Sequence, residues 1–67
     1  MIDTKTLRWA RKRRGLSQGQ VALKIGLALH TVSKYERGVI LPSVPALCRL
    51  SELYDVDIDT LIDWDRV

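Results

Sequence analysis

The sequence has a single cysteine, Cys48, and a single histidine, His30. One cysteine excludes an internal disulfide and a zinc-binding set, and leaves Cys48 to be read as a small hydrophobe in a reduced protein. No apolar run approaches the ~20 residues of a membrane span. The N-terminus has no signal-peptide hydrophobic stretch, so the expected setting is the cytoplasm. Strand-like alternation never lasts beyond a few residues, and repeats and low-complexity tracts are missing. The carboxylates of Asp55, Asp57, Asp59, Asp63 and Asp65 read as caps and solvated faces, since no His, Cys or Ser arrangement accompanies them. An enzyme, a cofactor, a metal and a small-molecule ligand are therefore not expected.

What is present suffices for one domain, 1–67. The chain has 67 residues, 46% of them hydrophobic, which is globular composition with room for one modest core. The net charge is +3, but it is unevenly spread. Residues 1–38 hold nine Lys and Arg against Asp3 and Glu36, a net +7, while residues 39–67 carry a net −4. A basic first half would attract polyanions.

Caps and periodicity divide the chain into five short helices. Asp3 can cap a helix over about 4–14, ended at Gly15. Ser17 with Gln20 three residues on forms a capping box for a helix over about 18–25. Gly26 supplies the turn to a third helix over about 29–36, stopped by Gly38. Ser43 caps a fourth, with Pro45 tolerated in its first turn. Asp57 caps a short fifth helix reaching about residue 63. Hydrophobic staples agree with three of these starts: Ile2 with Leu7, Leu16 with Val21, and Val56 with Leu61. Helices this short need shared packing, here of Leu7, Ala10, Val21, Ala22, Ile25, Val32, Tyr35, Leu47, Leu50, Leu53, Val56, Ile58 and Leu61.

Within this frame, residues 18–37 have the spacing of a helix-turn-helix. Ala22 is the small residue where two crossing helices approach, Gly26 is free to take positive φ in the turn, and Val32 anchors the second helix. On that second helix, residues 29, 30, 33, 34 and 37 lie opposite Val32 and Tyr35.

The chain resembles the Cro/CI-like, or XRE, helix-turn-helix family of phage repressors and small bacterial regulators. The resemblance is carried by Leu-Arg-x-x-Arg at 7–11, Gly-Leu-Ser-Gln at 15–18 and Thr-Val-Ser-x-Tyr-Glu-x-Gly at 31–38. Pro42-Ser43, Leu47 and Val-Asp-Ile-Asp-Thr-Leu at 56–61 also fit. It implies an all-α, five-helix lambda-repressor-like domain that acts as a homodimeric repressor on double-stranded DNA with a partly palindromic operator. No appended ligand-binding or oligomerisation domain is expected. The same resemblance makes Leu29, His30 and Lys34 base readers, with Ala28 at the helix edge, and sends Gln18 to a phosphate. Thr31, Ser33, Arg37 and Arg14 are further candidates for backbone or base-edge contacts. It also pairs Arg11 with Glu36 as a structural ion pair. Lys12, Arg13 and Arg14 stand between phosphate contacts and a solvated charge run. Neutralising roughly six phosphates would give a salt slope near −5.

Several residues depart from the family pattern. Ala28 leaves the third helix without a side-chain N-cap, and Gly19 interrupts the second. The loop at residues 39–41 is apolar where the family carries phosphate-binding residues. Leu41 is expected to seal the core, while Val39 and Ile40 stand between that role and a patch for a partner subunit. Trp9 and Trp64 could join the chain ends with Ile2, through a short strand pair. Alternatively, Ile62, Trp64 and Val67 could belong to a dimer interface. The apolar loop and acidic second half also motivate a different reading of the same fold, as a protein-interaction module such as an antitoxin component or antirepressor.

Overall fold

A computed structural model describes residues 1–66. It contains four α-helices, α1 (Thr4–Arg13), α2 (Gln18–Ile25), α3 (Leu29–Arg37) and α4 (Val44–Tyr54), followed by 3-10 turns at Ile58–Leu61 and Trp64–Arg66. Local chemistry explains most boundaries. Asp3 accepts from the Thr6 amide at 3.1 Å and starts α1. Ser17 and Gln20 form the reciprocal capping box of α2, at 3.1 and 2.8 Å. Gly26 and Gly38 close α2 and α3 at φ 73° and 74°, where a side chain would be strained.

The core gathers Leu7 and Ala10 of α1, Val21, Ala22 and Ile25 of α2, Val32 and Tyr35 of α3, Ala46, Leu50 and Tyr54 of α4, and Leu61. Ala46 and Tyr54 are additions to the expected core. Tyr54 is the largest fully buried side chain. Leu47, Leu53 and Val56 pack against the cluster only in part, and Ile58 is half-buried.

Four expectations need correction. The fifth helix is a four-residue 3-10 turn, with i→i+3 bonds from Thr60 N to Asp57 O (3.0 Å) and from Ile62 N to Asp59 O (3.3 Å). Asp57 has the backbone of a cap, but its side chain accepts no cap bond. A segment this short cannot propagate an α-helix, and the tighter turn brings Ile62 back to the N-terminus. The chain ends meet through one antiparallel bridge, Ile2 with Ile62, rather than a strand pair. The pairing is limited because α1 begins at Thr4 and a new turn at Trp64. Neither tryptophan is sealed into this junction, Trp9 being 53% and Trp64 59% exposed. Val67 lies outside the described residues. Finally, Leu41 does not seal the core: it is 62% exposed, beside exposed Val39 and Ile40. The first buried side chain after α3 is instead Ala46, inside α4.

α4 ends on Asp55 at φ 55°, a left-handed position without glycine. Aspartate is among the side chains that tolerate it. The Val56 amide returns to Ser51 O at 3.1 Å, and Ser51 Oγ donates to Val56 O at 2.5 Å.

Candidate nucleic-acid interface

α2 and α3 form a bihelical unit whose crossing is lined by Ala22 and Val32, 4% and 1% exposed. With Val32, Tyr35 and Glu36 turned inward, α3 presents Leu29, His30, Lys34 and Arg37 as exposed side chains and Thr31 and Ser33 as half-exposed ones. Ala28 is the N-cap residue of α3 and makes no side-chain cap bond. Arg37 Nε donates to Ser33 Oγ at 3.3 Å across one turn. Arg14 is exposed at the end of α1. The structure thus gathers Leu29, His30, Ser33, Lys34 and Arg37 on one side of one helix.

Beneath α3 lies a polar network. The Glu36 carboxylate is 1% exposed and accepts Arg11 Nε at 2.7 Å on Oε2 and Arg11 Nη2 at 3.0 Å on Oε1. The two bonds form a bidentate, charge-assisted fork. They raise the Arg11 guanidinium above its ordinary pKa against the opposing effect of burial. Arg11 Nη1 also donates to Leu16 O at 2.9 Å, tying the network to the chain just before α2. Gln18, at the first position of α2, donates Nε2 to Glu36 Oε1 at 3.1 Å.

Sequence reasoning missed this last bond and three arginine caps. Arg8 Nη1 donates to Glu36 O at the end of α3 (2.6 Å), and Arg49 Nη1 to Ile25 O at the end of α2 (3.2 Å). Arg13 Nη2 donates to Tyr54 O and Asp55 O at the end of α4 (2.6 and 3.2 Å) while its guanidinium lies 5.1 Å from the Trp9 ring centroid. A cation at a helix C-terminus meets orphan carbonyls and the negative end of the dipole. The one local signal was the i, i+3 spacing that places Arg8 and Arg11 on one face of α1. Arg13 is thereby drawn toward α4 rather than standing in a solvated run with Lys12 and Arg14. Of the nine basic residues before residue 39, Arg8, Arg11 and Arg13 bond to other elements of the chain, and Arg37 bonds within α3.

One buried polar atom is unmatched among the described residues, the Tyr54 hydroxyl. Burial first, and then the Glu36 charge, push that phenol well above its ordinary pKa. No group of described His, Cys, Asp and Glu residues could hold a metal ion. No described helix is long and apolar enough to cross a membrane.

The capped α2, the glycine turn and the α3 anchored from below define a helix-turn-helix unit, and a family model of that description matches residues 7–61. The chain belongs to the helix-turn-helix family, XRE type. It is 36% identical over 63 residues to the HTH-type transcriptional regulator ImmR of Bacillus subtilis (strain 168), covering 94% of this chain and 50% of ImmR. The chain therefore spans about half the length of that relative. Among solved structures, the N-terminal DNA binding domain of SinR from Bacillus subtilis superimposes with a TM-score of 0.81 at 31% identity. That match covers 96% of this chain and 94% of the SinR chain.

Proposed function

We propose that the chain is a sequence-specific regulator of transcription that binds double-stranded DNA by inserting α3 into the major groove. The observation that carries this reading is the exposed side of α3, held from beneath by the buried Arg11–Glu36 pair. A major groove about 12 Å wide admits a helix. The similarity to the SinR DNA binding domain, and membership of a family of regulators rather than enzymes, support the same function.

In this reading Leu29, His30 and Lys34 meet base edges. Lys34 donates to guanine O6 or N7, His30 to a similar acceptor, and Leu29 packs on a thymine methyl. Gln18, Arg37, Thr31, Ser33 and Arg14 meet phosphates or base edges, with Ala28 close to the backbone. The protein acts as a homodimeric repressor on a partly palindromic operator with half-sites about one helical turn apart, and it represses by occluding promoter DNA. Selection of bound duplexes from a random pool tests this. A recovered motif with two-fold symmetry is the expected result. Equal affinity for selected and scrambled duplexes would overturn sequence-specific reading.

A second reading has its own observation. Val39, Ile40 and Leu41 are 57%, 41% and 62% exposed and adjacent in the chain, and Ile40 and Leu41 border a mixed groove of about 450 Å³ that also takes in Ile2, Asp3, Lys5 and Arg37. An apolar patch of this kind favours a protein partner, as in an antitoxin component or antirepressor. A gel shift across a salt series separates the two. DNA binding that weakens steeply with salt supports the regulator, whereas a salt-insensitive protein complex with no DNA affinity supports the interaction module.

A further inference from the structure

Gln18 occupies an unusual position for a side chain expected to meet DNA, because part of its amide is already engaged. Its Nε2 donates to Glu36 Oε1 at 3.1 Å, on the same oxygen that receives Arg11 Nη2. Glu36 is almost wholly buried, while Gln18 remains half-exposed at the first position of α2. A primary amide carries two N–H donors in one plane. Holding one of them on a buried carboxylate narrows the directions open to the other. The bond is charge-assisted and its acceptor is shielded from water, so it orders the side chain more firmly than a neutral surface contact would.

We propose that Glu36 is a positioning residue for nucleic-acid binding, acting through Gln18. The carboxylate holds the Gln18 amide so that its second N–H, beside the backbone amides that open α2, is aimed at a phosphate oxygen of duplex DNA. Gln18 keeps its bond to Glu36 while it binds. Its rotamer freedom is lost on folding rather than on association, which favours binding. Arg11 takes part indirectly: by engaging both Glu36 oxygens, its fork holds the carboxylate plane that orients Gln18. One buried ion pair therefore secures α3 against α1 and sets a DNA contact on α2. This role rests on the DNA-binding reading above.

Side-chain amide NMR of the unaltered protein, free and with a random-sequence duplex, tests the proposal without a variant that might unfold. In the free protein one of the two Gln18 Nε2 protons should be protected from exchange with water and the other should not. On adding duplex, the unprotected proton should shift while the Glu36-bonded one stays in place. Gln18 amide protons that both exchange as fast as those of an exposed glutamine overturn the proposal, as does movement of both signals. No response to DNA anywhere, with the free amide still ordered, brings down the DNA-binding reading and this role with it. A double-mutant cycle supplies the energetic arm, restricted to variants that circular dichroism shows to be folded. Gln18→Ala should weaken duplex binding about tenfold, the scale of one hydrogen bond to a charged group. In a Glu36→Gln background that loss should shrink to about twofold or less. Equal losses in both backgrounds would show that Glu36 only supports the fold.

Discussion

Along α3, Val32, Tyr35 and Glu36 turn inward and are almost wholly buried, whereas Leu29, His30, Lys34 and Arg37 stay exposed on the opposite side. The inward residues answer to neighbours in this chain. Val32 and Tyr35 belong to the core cluster, and Glu36 is bonded by Arg11 and Gln18 on its carboxylate and by Arg8 on its carbonyl. The outward residues answer to little within the chain, the Arg37–Ser33 bond being their one side-chain hydrogen bond among the described residues. Substitutions on the inner side should therefore act on stability, and those on the outer side on binding. A helix that carried its reading residues and its anchoring residues on one side could not vary one without the other.

The largest expected effect tests the inner side. Arg11→Met keeps the length of the aliphatic stem and leaves the Glu36 carboxylate buried with Gln18 as its remaining donor. Breaking one partner of a buried pair costs about 3–5 kcal/mol, since the other charge stays desolvated. Urea denaturation should show that loss in the midpoint. A loss within about 0.5 kcal/mol, the range of an ordinary surface substitution, would mean that the inner side is held by packing alone.

The outer side predicts the reverse. Lys34→Ala should leave the unfolding midpoint nearly unchanged, because Lys34 is exposed. It should cost about 1–3 kcal/mol of discrimination between the selected site and a variant altered at one guanine. Anisotropy titrations with both duplexes read this directly. Uniform weakening on every duplex would instead assign Lys34 to a phosphate and move the base-reading role elsewhere on α3.

Tyr54 sharpens the inner side further. Glu36 is a buried polar group with its bonds made, whereas the Tyr54 hydroxyl is buried without a partner. Leaving such a group unmatched costs about 1–3 kcal/mol, so Tyr54→Phe should raise stability by an amount in that range. Destabilisation would show that the hydroxyl has a partner in solution, a buried water being the simplest.

How much of this was legible in the sequence depends on how far each cause reaches. The starts of α1, α2 and α4 were readable because Asp3, Ser17 and Ser43 act on amides three residues away. The ends of α2 and α3 were readable because Gly26 and Gly38 relieve a purely local strain. The left-handed Asp55 was not, since aspartate is equally at home in a solvated turn. Nor were the arginine caps, where Arg13 reaches a carbonyl 41 positions away and Arg8 one 28 away. The Arg11–Glu36 pairing came from family resemblance, because spacing alone does not bring residues 25 apart together. Leu41 was misplaced for a related reason: hydrophobicity argues for burial, but whether a core has room is decided by other residues, here Ala46 and Tyr54.

Where the two sides of α3 meet, at its N-terminus, the expected effect is smaller. Ala28 gives the first turn no side-chain acceptor, in contrast to Ser17 at the start of α2. Ala28→Ser should stabilise the protein by about 1 kcal/mol, with a higher thermal midpoint. If the first turn of α3 approaches DNA, a gain in stability should be accompanied by a change in duplex affinity. An unchanged affinity would place the boundary between anchoring and reading after the first turn.

The smallest effect concerns α1, which supplies the arginines that hold the inner side. Asp3 accepts the Thr6 amide, and that bond, chiefly, lowers its carboxyl below the ordinary value of 3.8. The unfolded chain therefore binds the proton more readily than the folded one. The contribution of Asp3 is fully present above the unfolded value and is lost as pH falls through the lower folded one. Stability should decline over that acid range partly because the α1 cap is protonated. Asp3→Asn keeps a side-chain acceptor but cannot titrate, so its stability should change little near neutral pH and its acid decline should be shallower. Urea midpoints of the two proteins, compared from neutral pH to below pH 3.8, supply the test. Parallel curves would remove Asp3 from the account of how α1 is held, and with it one support of the inner side of α3.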